Sequence, residues 1–102
     1  MTLETLMQSV ESISRIYAAK HGIERSSDWF LLKLHEEVGE LTQAHLKDSG
    51  RARSGDVSPD ELRESLAAET AGVLCHVLLY AAHHEIDIER AVSEKWLSWL
   101  GK

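Results

Sequence analysis

The sequence predicts an all-α fold, an antiparallel four-helix bundle in a single domain over residues 1–102. Apolar residues recur at three- and four-residue steps, which is the spacing of one face of a helix. Proline occurs once, and most of the six glycines lie near expected helix ends. Only 6% of the residues are aromatic, and β-branched residues rarely alternate with polar ones, so strands are not indicated.

The first two helices have clear start and stop signals. The first is predicted from about Leu3 to Lys20, because a glycine at Gly22 tolerates the left-handed conformation that ends helices. The second is predicted from the N-capping side chains at residues 26–28 to about Lys47.

The third helix follows a connector, residues 48–57, that is rich in glycine, serine and arginine. Ser58 is a suitable N-cap, Pro59 fits the first helical position, and Glu61 is placed to close a capping box. We expect this helix to continue to about His84.

A fourth helix is predicted from Ile88 to about Leu100, with Asp87 as its N-cap. The third helix is apolar nearly all the way round, and a chain this small has room for only a thin core. We therefore expect oligomerisation to complete the fold.

Composition excludes several classes of protein. The chain has 17 acidic and 11 basic residues, a formal charge of −6, which argues against a nucleic-acid binder. One cysteine, Cys75, allows no intramolecular disulfide. Glu4 and Glu11 interrupt any apolar run of a signal peptide, and the longest apolar stretch, residues 73–82, is too short to span a bilayer. We expect a cytoplasmic protein without a membrane or nucleic-acid partner.

Two carboxylates of the second helix project in similar directions. Glu37 and Glu40 are separated by about 60° around the helix axis, beside its apolar stripe. Like charges at this spacing repel, and a divalent cation such as Mg²⁺ offsets the repulsion through oxygen ligands. The alternative is a solvated acidic face.

The third helix carries an acid within apolar surroundings. Glu69 lies among alanines and valine, and His76 projects within about 20° of it. Because a buried carboxylate needs a partner, Glu69 is expected to pair with a cation. The candidates are Lys33, Arg63, or a metal ion held jointly with the two carboxylates of the second helix.

The same residues resemble a known pattern. Residues 32–41, LKLHEEVGEL, resemble the Glu-Glu-x-x-Glu signature of the MazG-like all-α nucleoside triphosphate pyrophosphohydrolases. Residues 69–72 occupy the second signature, Glu-x-x-Asp, and residues 86–89, Ile-Asp-Ile-Glu, match the turn before the last helix. The resemblance covers roughly residues 28–97.

The resemblance implies an activity and a set of roles. Members of the family bind Mg²⁺, cleave nucleoside triphosphates between the α and β phosphates, and assemble as dimers or dimer-of-dimers tetramers; Mn²⁺ is a further candidate ion. By position, Glu37, Glu40 and Glu69 would be metal ligands. Glu36 would orient water, and Lys33 would approach a phosphate.

The chain departs from the family pattern at Gly72, where the fourth acid is expected. Three interpretations are open: three carboxylates suffice with an extra water, His76 replaces the missing ligand, or catalysis is lost. In the last case the protein is a non-catalytic nucleotide- or metal-binding homologue or a helical oligomerisation module.

The tryptophans are candidates for stacking on a nucleotide base. Trp29 lies at the start of the second helix, near the apolar surface between the first two helices and the third. Trp96 and Trp99 are further candidates, and the alternative for each is a core or subunit-interface position.

Overall fold

The computed structural model describes residues 1–101, and within them every regular element is helical. The all-α prediction is therefore confirmed. The elements are α1 (Leu3–His21), α2 (Ser27–Asp48), α3 (Pro59–His83), α4 (Ile88–Lys95) and a short 3₁₀ turn (Leu97–Trp99).

The predicted caps fix the helix ends. The side chains of Ser26, Ser58 and Asp87 accept hydrogen bonds from backbone N–H groups three residues later. Gly22 ends α1 in the left-handed conformation, at φ 64°. At α3 the capping box differs from the expected form, because the Glu61 carboxylate accepts from the Ser58 hydroxyl at 3.1 Å.

Helices α2 and α3 form an antiparallel pair. Ser27 Oγ and His83 Nε2 are hydrogen-bonded at 3.0 Å at one end of the pair. Arg63 Nη1 donates to Asp48 Oδ2 at 2.9 Å at the other end. This pairing sets the middle of α2 opposite the middle of α3.

The core is small and centred on Phe30 and Leu78, each 1% exposed. The Arg25 guanidinium lies 5.2 Å above the Phe30 ring, and the His83 ring packs against the same ring at 4.6 Å. Arg25 also forms an ion pair with Glu11 of α1. The other buried residues are Ala18, Ala44, Leu79 and Ala81.

The fourth helix is shorter than predicted. It ends at Lys95 rather than Leu100, a 3₁₀ turn over Leu97–Trp99 follows it, and the backbone becomes extended at Leu100. Its main contacts are with that turn, and it has no buried residue. The four-helix bundle therefore stays a prediction, and α4 lies apart from the core that the three long helices build.

The chain leaves more surface uncovered than a compact monomer does. Its radius of gyration is 16.3 Å, against about 13 Å for a compact chain of this length. Its accessible surface is 7664 Å², against about 5,800 Å² for a folded monomer of 11.5 kDa. Ile13, Ile16 and Tyr17 of α1 are among the apolar side chains that remain more than half exposed.

Helix α3 is more apolar over its length than the ten-residue stretch in the sequence indicated. An 18-residue window within it has a mean hydropathy of 1.4, so by length and composition the helix could cross a membrane. The expectation that no segment spans a membrane stays a prediction, because length and composition alone do not test it. Core helices of soluble proteins meet the same criteria, so this property assigns no compartment.

Candidate metal centre

Three carboxylates converge where α2 faces α3. Glu37 and Glu40 of α2 and Glu69 of α3 each offer one oxygen, and these oxygens lie within 4.8 Å of one another. Glu37 and Glu69 are half-buried, and Glu40 is exposed. The expected convergence is present, and the assignment of these residues as ligands stays a prediction.

The electrostatics of this group are unfavourable without a cation. Burial raises the pKa of Glu37, and the neighbouring charge of Glu40 raises it further. Burial likewise raises the pKa of Glu69, with the charge of Glu40 as the next cause. The group therefore holds negative charge that the fold disfavours.

The basic side chains expected to neutralise Glu69 are paired elsewhere. Lys33 Nζ donates to Glu36 Oε2 at 3.1 Å, and Arg63 pairs with Asp48 at 2.9 Å. Over residues 1–101 no cationic side chain lies within ion-pair distance of Glu69. Of the three partners considered for Glu69, the two side chains are thus excluded in this conformation.

The donor set fits a hard divalent cation. Mg²⁺ takes oxygen ligands at about 2.1 Å in an octahedron, so two ligand oxygens on one ion lie roughly 3 to 4.2 Å apart. The three carboxylate oxygens lie within 4.8 Å of one another, so at that limit a pair would close by about 0.6 Å to lie trans on one ion and by about 1.8 Å to lie cis. Mn²⁺ prefers the same donors.

Gly72 lies directly against this group. A Cβ atom added at Gly72 would meet Glu37 Oε2 at 2.6 Å, well inside van der Waals contact. The space in which a fourth acidic side chain would begin is thus occupied by the carboxylate of Glu37.

His76 contacts Glu37 and lies outside the three-carboxylate group. Its Nε2 is 3.5 Å from Glu37 Oε1, and its Nδ1 is buried without a hydrogen-bond partner. Burial lowers the pKa of His76, and the charge of Lys33 lowers it further, so the ring is neutral at pH 7. The contact is therefore between a carboxylate and a neutral imidazole, and His76 is not among the residues whose ligand atoms lie within 4.8 Å of one another.

An apolar groove adjoins the carboxylates. It has a volume of about 360 Å³, and its apolar lining includes Val10, Ile13, Tyr17, Trp29 and Leu79. Its polar lining includes Lys33, Glu37 and His76, so Glu37 belongs to both the groove and the carboxylate group.

The sequence located this groove between the first two helices and the third, and Trp29 lines it, with its ring edge-on to Phe30 at 5.0 Å. Trp96 and Trp99 do not line it and are 67% and 70% exposed. Glu36, also exposed, contacts Lys33 outside the three-carboxylate group. The sequence missed Tyr17 as a lining residue, because its place in the α1 apolar stripe does not distinguish core from groove.

Comparisons of the chain with protein-family models, curated proteins and solved structures give no match. The MazG-like resemblance therefore rests on the motif residues alone.

The first test removes one of the three charges. In a metal-free buffer at pH 7.5, Glu40→Gln should raise the free energy of unfolding by about 1 kcal/mol, because it relieves two repulsive carboxylate pairs. Denaturant titration measures this. Glu64→Gln makes the same change in net charge on an exposed part of α3 and should stay within about 0.5 kcal/mol of the native protein. Equal effects would mean that net charge alone is responsible.

The second test is the pH dependence of that gain. Because the pKa values of Glu37 and Glu69 are raised in the folded state, these groups favour folding at low pH and lose that contribution as pH rises through the raised values. The gain from Glu40→Gln should therefore be largest near neutrality and vanish toward pH 4, where the carboxylates take up protons. A gain independent of pH would contradict the electrostatic origin. The charge of Glu40 also raises the pKa of His76, so its loss disfavours protonated His76 and reduces the gain at acid pH in the same direction.

Proposed function

We propose that this chain is a Mg²⁺-dependent nucleotide pyrophosphohydrolase that cleaves nucleoside triphosphates between the α and β phosphates, giving a monophosphate and pyrophosphate. The supporting observation is that Glu37, Glu40 and Glu69 converge beside an apolar groove with no lysine or arginine of the described residues within ion-pair distance, although the charge of Lys33 lowers the pKa of Glu37. A triphosphate needs both features, since its phosphates bind through divalent cations and its base requires an apolar cleft.

Different side chains would bind the metal ion and the base of the nucleotide. Glu37, Glu40 and Glu69 would hold the ion, which when bound neutralises charge on the pyrophosphate and lowers the pKa of a water molecule. Trp29 offers an aromatic surface for a base in the groove.

Two polar side chains next to the ligands complete the proposed site. Lys33 lines the same groove, and its ammonium group is held by Glu36 at 3.1 Å. On substrate binding, the Lys33 ammonium group would leave the exposed Glu36 carboxylate and donate to a phosphate oxygen. Release of the Glu36 carboxylate would leave it free to accept a hydrogen bond from the attacking water.

A non-catalytic nucleotide- or metal-binding homologue, or a helical oligomerisation module, is the second candidate. It is favoured by the glycine at position 72, which supplies no fourth ligand, and by the exposed apolar surface. In the first form of this candidate the carboxylates bind an ion, with or without a nucleotide, and no reaction follows. In the second form the protein acts only through its assembly into oligomers.

The nucleotide assay separates the two candidates. With a panel of ribo- and deoxyribonucleoside triphosphates and Mg²⁺ or Mn²⁺, pyrophosphate release should be metal-dependent and should fall at least about 100-fold in Glu37→Gln and Glu40→Gln, because each removes a ligand. Glu64→Gln should retain activity. Metal-dependent product from the native protein that persists in both ligand variants would contradict the site. No product with any nucleotide from a folded protein would favour the non-catalytic candidate.

We further propose that the protein assembles as a homodimer or a dimer-of-dimers tetramer. The accessible surface exceeds that of a compact monomer by about 1,900 Å², and obligate interfaces bury about 1,000 to 2,500 Å² per subunit. The exposed apolar side chains of α1 and the segment after α4 supply surface of this kind, including Ile16, Trp96 and Leu97.

Light scattering coupled to size-exclusion chromatography tests the assembly. The expected mass is two or four times 11.5 kDa at micromolar concentration. Ile16→Lys, which places a charge on exposed apolar surface, should shift the distribution toward the monomer if α1 lies in the interface. A native protein that elutes as a folded monomer at all concentrations would contradict the proposal.

A further inference from the structure

Gly72 differs from every other glycine that the structure describes. A Cβ atom added at Gly72 would lie 2.6 Å from Glu37 Oε2, whereas one added at any other glycine of residues 1–101 meets no atom within 4 Å. Gly39 is the closest comparison, since it is also mid-helix, lies between Glu37 and Glu40, and has open space around it.

The close approach has a physical consequence. Side-chain carbons essentially never lie within 3.0 Å of a non-bonded oxygen, so a methyl group at position 72 forces the Glu37 carboxylate to move. That carboxylate ends a flexible side chain, so the displacement disturbs the fold little. Glycine is less favourable than alanine within a helix, and α3 therefore carries a weak helix former at a point where the Glu37 carboxylate lies against it.

We propose that Gly72 is a positioning residue for Glu37. The missing side chain lets the carboxylate lie across α3, with Oε2 against Gly72 and Oε1 3.5 Å from His76 Nε2. In this position the carboxylate can share an ion with Glu40 and Glu69. The inference rests on the proposed metal site, and it assigns a spatial role to the position where the family pattern has a ligand.

A consequence follows for the fourth acid. An aspartate at position 72 and Glu37 in its present position compete for the same space, because the added Cβ alone is already too close. Gly72→Asp therefore adds a carboxylate at position 72 and displaces that of Glu37. It should not tighten metal binding.

The experiment compares Gly72→Ala with its matched control Gly39→Ala. Both replace a mid-helix glycine, so both should raise the melting temperature of the metal-free protein by about 4 °C or more. Only Gly72→Ala should weaken Mn²⁺ binding, by about 10- to 100-fold in calorimetric titration. If Gly72 had a purely structural role, Gly72→Ala would lower the melting temperature. It would then not show a higher melting temperature together with weaker Mn²⁺ binding.

A second variant shows that the effect acts through Glu37. Glu37→Asp shortens the side chain by one methylene, so the carboxylate no longer reaches position 72. In the Glu37→Asp background, Gly72→Ala should change the Mn²⁺ affinity less than about twofold. The effects of the two substitutions would then be non-additive, as expected of residues in contact. The same 10- to 100-fold loss in both backgrounds would overturn the proposal, as would unchanged affinity in Gly72→Ala or tighter binding in Gly72→Asp.

Failure of the proposed function is distinguishable from failure of this inference. If the native protein binds no Mn²⁺, the metal site is wrong, and crystal structures of the metal-free native and Gly72→Ala proteins decide the positioning. The expected result is that the Glu37 carboxylate moves by more than about 1 Å and loses its contact with His76. An unmoved carboxylate would overturn the positioning role.

Discussion

The mutual repulsion of three carboxylates between α2 and α3 is the constraint on which the rest of the site depends. Antiparallel pairing of the two helices, with Ser27 and His83 in contact at one end and Asp48 and Arg63 at the other, brings Glu69 to Glu37 and Glu40. Glu37 and Glu69 are partly buried, so water screens their charges less than it would at the surface. Under the proposed function, a divalent cation would remove the repulsion, and the adjoining groove would hold the base of a bound nucleotide.

The geometry at Gly72 changes the interpretation of the missing fourth acid. By pattern alone, Gly72 counts as a lost ligand and lowers the expectation of activity. By geometry, its missing side chain is what the Glu37 carboxylate needs to lie against α3. His76 contacts that carboxylate and is not among the residues whose ligand atoms converge, so its replacement of the fourth ligand stays a prediction. Three carboxylates with water completing the coordination is the interpretation that the geometry favours.

Local rules were enough to predict most of the helices, whereas the convergence of the acids was one of the alternatives that helix periodicity left open and that the family resemblance implied. Caps at Ser26, Ser58 and Asp87 and the stop at Gly22 lie where short-range hydrogen bonding requires them. The end of α4 was not predictable, because periodicity continues to Leu100 while no neighbouring helix covers that segment. The approach of Glu37 to Gly72 was not predictable either, since it depends on the spacing between two helices, which sequence periodicity does not specify.

Anomalous diffraction from crystals grown with Mn²⁺ tests the central claim most directly. We expect an anomalous peak about 2.2 Å from oxygens of Glu37, Glu40 and Glu69, with the Glu37 carboxylate still lying against Gly72. A peak elsewhere, or the three carboxylates splayed into solvent with no ion between them, would contradict the account.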